Sequence, residues 1–343
     1  MTTPTPPTAA GTTAGGTSTG TPVTLVVLGG TNRLRRADRE LLVLAGTLGA
    51  THVVVPDAPD DALLDELAAH AVDAVHTLEG GPGDRLTTPV VALAEAAARE
   101  TGAHVLLLAS TPEAKDVAAR LGVRLGAGVV TDVVALDADL VATKSVLAGS
   151  WTTRCRATSA VLVATVRPNS VELPAGAAAG GTGTATAGAQ RPRVRAHAVE
   201  DTVPAARVVA RAELPASGRP ALDEARVVVA GGRGTGGDFG PLEELADALG
   251  GAIGASRAAV DAGWIGPEAQ VGQTGRTVSP QLYVSCGISG AVQQRAGMQS
   301  AGTIVAVNKD EQAPVLEIAD LGIVGDLRTV LPQAVEHLRA LRG

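Results

Sequence analysis

Between Val23 and Leu121 the chain alternates short apolar runs with longer stretches of helical period, and few folds accommodate that alternation. Val23–Leu28, His52–Val55, Val72–His76 and His104–Leu108 read as strands. Asp38–Leu48, Asp60–His70, Thr88–Glu100 and Pro112–Leu121 read as helices. Leu63, Leu64 and Leu67 fall on one face of the second helix, and Pro89 suits the first turn of the third. Strands joined through helices pair in parallel and are covered on both faces, so the pattern predicts a three-layer α/β domain with a mostly parallel sheet. Its first loop, GGTNRLRR, lacks Gly-x-Gly-x-x-Gly spacing, and no dinucleotide site is expected there.

The character changes after Gly122. Val129–Leu136, Leu140–Val146 and Ser159–Val166 read as strands with short polar links, a meander added to the sheet. Pro174–Pro192, PAGAAAGGTGTATAGAQRP, is low in complexity and reads as a flexible insertion or linker, with Val203–Glu213 a strand-like exit from it. These shifts divide the chain into a disordered Thr/Pro/Gly tail (1–21), an N-terminal α/β domain (22–173), a low-complexity linker (174–204) and a C-terminal domain (205–343).

In the C-terminal domain Val227–Ala230 reads as a strand, Leu242–Leu249 as a helix and Ala252–Ala255 as the next strand, the start of a doubly wound α/β unit. Gly232, Gly234 and Gly237 in GGRGTGG fit Gly-x-Gly-x-x-Gly, a spacing that a tight turn with positive φ satisfies equally well. The second strand ends in Ser256–Arg257, where an NAD site wants an acid; the pair suits a 2′-phosphate and keeps an NADP-dependent reductase open. A second glycine loop, VGQTG (Val271–Gly275), argues for a large ligand contacted along its length. Pro280–Asn308 then holds strand Gln281–Ser285, a turn loosened by Gly287 and Gly290, a helix Ala291–Gln299 with Ser289 at its N-cap, and strand Thr303–Val307. A serine there leaves its hydroxyl and backbone N–H groups to bind phosphate.

Bulk properties exclude several classes. The 343 residues suffice for two cores, and 45% apolar with 18% charged composition is that of an ordered α/β protein. A net charge of −7 opposes nucleic-acid binding. Cys155 and Cys286 lie far apart and read as free thiols in a reducing bacterial cytoplasm. The six histidines show no HxxxH or HExxH spacing, and no metal site is expected. No apolar run reaches the length of a membrane span, and the first twenty residues resemble neither a secretory signal nor a transit peptide.

Taken together, GGRG, GASRAAVDAGW, QVGQTG, LYVSCGISGAVQQRAGM, IVAVNKD and ADLGIVGDL resemble the α subunit of an electron-transfer flavoprotein. The likeness is dense over Val227–Pro332 and looser over Val23–Arg167, where it rests on ASTPEAKDVAARLGVRL and VLAGSW. It implies a heterodimer with one non-covalent FAD held mostly by the C-terminal domain, and a β subunit that completes the site and carries AMP. Electrons would pass from flavin dehydrogenases, such as acyl-CoA dehydrogenases, to the FAD and on to a membrane quinone oxidoreductase. The chain would then be a redox carrier rather than a substrate-converting enzyme. An NADH-linked, electron-bifurcating member of the family stays open.

Carried over by motif, the resemblance puts Arg233 and Ser256 on the pyrophosphate and the Arg257 guanidinium against the isoalloxazine ring. Val271, Gly272, Gln273 and Thr274 would line the ring, the Thr274 hydroxyl reaching flavin N5. Ser289, Gly290, Ala291, Val292, Gln293 and Gln294 would wrap the phosphates and ring, while Asn308, Asp326 and Leu327 would hold the adenosine. Each has a plainer reading from its own residue: Arg233 a solvated loop arginine, Asp326 an N-cap for the terminal helix, Asn308 a strand-end turn residue. Gln294 stands where many relatives carry a histidine that donates to flavin O2; an amide still donates there but cannot become cationic. Cys286 reads as core packing, and Trp264 as core or subunit contact.

Overall fold

The computed structural model describes residues 22–29, 32–147, 149–174, 190–200, 203–210 and 218–342. The tail expected over 1–21 and most of the Pro174–Pro192 insertion lie outside the described residues. Of the expected strand-like exit Val203–Glu213, residues 211–213 also lie outside the described residues; residues 203–210 form no strand, and Arg207 makes an isolated bridge to Arg85 and an ion pair with Asp84.

The expected alternation is present: β1 (Val23–Val27), α1 (Arg36–Leu48), β2 (Ala50–Val54), α2 (Asp61–Ala69), β3 (Val72–Leu78), α3 (Thr88–Thr101), β4 (Val105–Ala109) and α4 (Pro112–Leu125). Local chemistry sets several ends. Asp60 caps α2 by accepting from Leu63 N at 2.8 Å, Thr111 caps α4 by accepting from Ala114 N at 3.1 Å, and Gly102 and Gly126 end α3 and α4 in left-handed conformation. After α4 come β5 (Gly128–Leu136), β6 (Val141–Val146), β7 (Trp151–Arg156), β8 (Leu162–Val166) and β9 (Arg193–His197). Together they build one sheet in the order β7-β6-β5-β8-β4-β1-β2-β3-β9. Side chains alternate across it: Leu107 joins Leu41, Leu42, Leu63 and Leu67 in the core on one face, whereas Leu106 and Leu108 join Leu93, Val117 and Leu121 on the other.

Two expectations are corrected. The third strand of the antiparallel meander is Trp151–Arg156, which was not foreseen; Leu162–Val166 lies instead between β4 and β5, parallel to both. Burial explains the choice, because every residue of LVATV is buried whereas WTTRCR is almost wholly exposed and suits an edge. The linker reading of 174–204 does not hold over Arg193–His197, which pairs in parallel with β3 and closes the other edge. Its charged composition, typical of an edge, hid it.

The C-terminal domain contains β10 (Val227–Gly231), α5 (Gly240–Leu249), β11 (Ala252–Ala255), α6 (Arg257–Asp261), β12 (Leu282–Cys286), α7 (Val292–Arg295), β13 (Thr303–Asn308), β14 (Leu321–Val324) and α8 (Leu327–Arg342). Its sheet, β11-β10-β12-β13-β14, is parallel throughout. On one face Val229 and Val284 pack with Leu242, Leu245, Leu331 and Val335 of α5 and α8. On the other, Val228, Tyr283 and Ile304 pack with Leu222 and Met298. The domains meet through polar groups: Arg35 lies 3.7 Å from Glu224, and Asn169 Nδ2 donates to Ala225 O at 3.3 Å.

Leu107 is fully buried on the central strand β4, while Val123 on α4 is 85% exposed. Leu107→Ala is expected to cost about 2–5 kcal/mol and Val123→Ala no more than about 0.5 kcal/mol, read from the urea midpoints of the N-terminal domain.

Candidate functional site

Parallel pairing puts the carboxyl ends of all five C-terminal strands on one edge of the sheet, and each expected site segment except Val271–Thr274 follows one of those ends. Ser256 and Arg257 follow β11, Arg233 follows β10, Ser289–Gln294 follow β12, Asn308 ends β13, and Asp326 and Leu327 follow β14. The sheet order reverses between β10 and β12, a topological switch point of the sort where open α/β sheets bind ligands.

At that switch the two loops touch backbone to backbone. Gly232 N donates to Cys286 O at 3.0 Å and Gly234 N to Gly287 O at 2.9 Å. A Cβ on Gly232 would sit 2.5 Å from Gly287 O, and one on Gly234 2.7 Å from Gly287 Cα. The spacing in GGRGTGG is therefore used by loop–loop packing and by a single 3₁₀ turn, Arg233–Thr235, rather than by a strand leading straight into a helix N-terminus. The Arg233 side chain stands exposed on that turn, with no hydrogen bond or ion pair to another described residue.

Ser256 N donates to Gly231 O at 2.9 Å, which fixes the β11 end beside the glycine loop. Its hydroxyl is buried, caps nothing and has no partner. A buried hydroxyl without a partner is costly, and this atom is free to bond a polar ligand. Arg257 is exposed and lies 3.3 Å from Asp261.

The VGQTG loop is tied on both sides. Val271 N donates to Ala255 O at 2.9 Å, and Gln273 N to Gln293 O at 2.8 Å. Val271 is buried and Gly272 faces Gly297, where an added Cβ would come within 2.3 Å of Gly272 N. Gln273 and Thr274 are exposed; the Thr274 hydroxyl accepts from Gln270 Nε2 at 3.0 Å and keeps its own proton for outward donation.

The segment after β12 departs from expectation. The helix foreseen over Ala291–Gln299 is one turn, Val292–Arg295, with Ala291 at its N-cap; Ser289 is exposed and caps nothing. Two close approaches force this. Ser289 O accepts from Val315 N at 3.0 Å with Gly290 pressed on Val315 at φ +83°, and Gly297 must reach Gly272. Ala291, Val292 and Gln293 are exposed along the edge.

Gln294 turns inward. Its Nε2 donates to the Tyr283 hydroxyl at 3.1 Å, and its buried Oε1 has no partner. Reversing the amide would pair the oxygen and orphan the nitrogen instead, so one end of Gln294 is unsatisfied in either orientation. Burial, against a smaller opposing effect of that hydrogen bond, holds the Tyr283 phenol well above its usual range, so it stays neutral. Sequence reasoning missed Tyr283 as a partner; its only signal was being the one tyrosine in the chain.

Asn308 and Asp326 make the contacts of their plainer readings. Asn308 Nδ2 donates to Ile288 O at 2.9 Å while Oδ1 accepts from Asp310 N at 3.1 Å. Asp326 accepts from Arg328 N at 2.9 Å, capping α8, and lies 3.0 Å from Lys309; both contacts hold its carboxyl below the usual range. Leu327 is buried in the core, leaving only its backbone to a ligand. Arg328, also unforeseen, reaches back to the glycine loop, its Nη2 3.5 Å from Thr235 O. Cys286 is buried on β12 as expected, and Trp264 packs its ring over Gly237.

Residues 23–202 match the electron transfer flavoprotein domain, and residues 221–299 match the electron transfer flavoprotein FAD-binding domain. Arg233 to Gln294 lie inside the second match; Asn308, Asp326 and Leu327 lie beyond it. The chain is 42% identical over 315 residues to the electron transfer flavoprotein subunit alpha of Mycobacterium leprae (strain TN), covering 90% of this chain and 96% of that protein. It is 37% identical over 285 residues to the subunit alpha of Syntrophomonas wolfei subsp. wolfei, covering 81% and 86%. Over 129 residues, 37% of this chain and 36% of the relative, it is 55% identical to the mitochondrial subunit alpha of Dictyostelium discoideum. Domain order, site edge and similarity along nearly the whole chain agree: it belongs to the electron transfer flavoprotein family, among the alpha subunits.

Proposed function

We propose that this chain binds one FAD non-covalently along the carboxyl edge of its C-terminal sheet, as the alpha subunit of a heterodimer whose beta subunit holds AMP. In the bacterial cytoplasm the pair would receive electrons from flavin dehydrogenases, acyl-CoA dehydrogenases among them, and deliver them to a membrane quinone oxidoreductase, converting no substrate itself.

The observation that carries this reading is the row of site segments at five consecutive parallel strand ends. Strands spaced about 4.8 Å apart make an edge roughly 19 Å long, enough for an extended dinucleotide. Along it Arg257, Arg233, Asn308 and Asp326 follow the ends of β11, β10, β13 and β14, and the loop bearing Thr274 joins the Gln294 segment through Gln273 N and Gln293 O, so the residues assigned to the adenosine fall at the end away from Arg257. Two buried polar atoms without partners, Ser256 Oγ and Gln294 Oε1, lie in segments of that edge and fit a ligand rich in hydrogen-bonding atoms.

FAD, when bound, supplies the electron-transfer chemistry. The chain's part is electrostatic and positional. Arg257 and Arg233 offer guanidinium charge to anionic groups. Thr274 presents a hydroxyl proton that Gln270 orients. Gln294, held by Tyr283, presents an amide that stays neutral at every pH. No helix among the described residues is long and apolar enough to cross a membrane, so delivery to a membrane oxidoreductase would rest on docking.

The direct test is the absorption spectrum of the chain purified with its beta subunit. About one flavin per heterodimer, bleached by reduced acyl-CoA dehydrogenase and not by NADH, is expected. Protein without flavin would overturn the proposal, and bleaching by NADH would redirect it to the bifurcating branch.

Ser256→Ala should act in opposite directions on the two forms. Flavin retention is expected to fall roughly 10- to 100-fold on equilibrium dialysis, while melting of the apoprotein stays level or rises because an unpaired buried hydroxyl is gone. Gln294→His is expected to raise the first reduction potential at mildly acidic pH, where the imidazole is cationic, and to leave it near wild type above about pH 8. Potentiometric titration across that range checks it, and a pH-independent offset would contradict it.

A further inference from the structure

Far from this edge, three histidines line up beside the β9 margin of the N-terminal sheet. His52 on β2 places Nδ1 3.0 Å from Nε2 of His76 on β3, and His76 Nδ1 lies 2.8 Å from Nε2 of His197 on β9. Glu100, in the last turn of α3, brings Oε2 to 3.7 Å from the same His197 nitrogen. One nitrogen from each of His76 and His197 and one Glu100 oxygen lie within 4.8 Å of one another. We propose that His76, His197 and Glu100 bind a zinc ion that clamps β3, β9 and α3 together.

The donor set is two imidazoles and a carboxylate, with a fourth position left to water, a familiar zinc combination. The groups behind the donors support it. His52 can accept the Nε2 proton of His76, fixing the tautomer that turns the Nδ1 lone pair toward the ion. Arg195 on β9 bonds Glu100 through Oε1 and leaves Oε2 directed at the imidazoles. Both are the outer partners that orient metal ligands. His76 is fully buried between its two imidazole partners, which fixes the place of its ring. The exposed Glu100 side keeps the position open to solvent. Two zinc-bound nitrogens in tetrahedral geometry stand roughly 3.3 Å apart, so the His76–His197 contact opens by about half an ångström when the ion replaces its proton. The ligands are 24 and 121 residues apart in sequence, which is why no spacing motif announces them.

The test uses the full chain with its beta subunit, stripped with chelator, dialysed, and titrated with Zn²⁺ against a chromophoric competitor. One equivalent is expected to bind, and Co²⁺ in its place should give the intense visible bands of a four-coordinate site. Glu100→Gln, at a half-exposed side chain that spares the core, and His197→Ala should each weaken binding about 10-fold or more. Glu113→Gln on neighbouring α4 should not. Absence of stoichiometric binding would overturn the assignment, and so would wild-type affinity in Glu100→Gln, which keeps the test decisive if His197→Ala fails to fold.

Discussion

The contact between the Gly232–Gly234 turn and Gly287 governs the C-terminal domain. Neither loop has room for a β-carbon, so main chain lies against main chain where the sheet order reverses, and two hydrogen bonds lock the register. Everything that could touch a ligand is placed from there. Ser256 hangs from Gly231, the 270–276 loop hangs from Ala255, and α7 is held against that loop by a second glycine pair, Gly272 and Gly297. Close-packed backbone with few side-chain degrees of freedom is a rigid way to preorganise a binding edge.

The joint between the domains has the opposite character. Asn169, at φ +63°, accepts from Arg36 through its side chain, donates its backbone N–H to Glu40, and donates its amide across to Ala225. Glu40 is buried, and desolvation raises its carboxyl despite Arg36 beside it. Such a junction is specified by direction rather than by apolar area, as expected where two domains meet without fusing their cores.

What the sequence made legible followed local patterning. The alternation of apolar runs and helical stretches was enough for β1 to β4 and for β10 to β13, though not for β14, and the glycine-bearing segments of the C-terminal domain could be placed because most lie next to a strand. What escaped was set by distant partners. Trp151–Arg156 and Arg193–His197 are polar edge strands whose identity depends on the neighbours they pair with. The shortness of α7 comes from Gly272, and Gln294 faces Tyr283 only because the chain folds back across one strand. The histidine row is the extreme case, since His197 reaches His76 solely through pairing of β9 with β3.

Cys286 closes β12 one residue before the glycine contact, wholly enclosed, and burial pushes its thiol up to about 12. At pH 7 the thiol therefore stays protonated. It is the thiolate that attacks peroxides and disulfides, so enclosure and protonation together shield this sulfur from both reactions. The protein can thus keep a soft, well-packed cysteine at the heart of a redox domain without exposing it to the chemistry that domain serves.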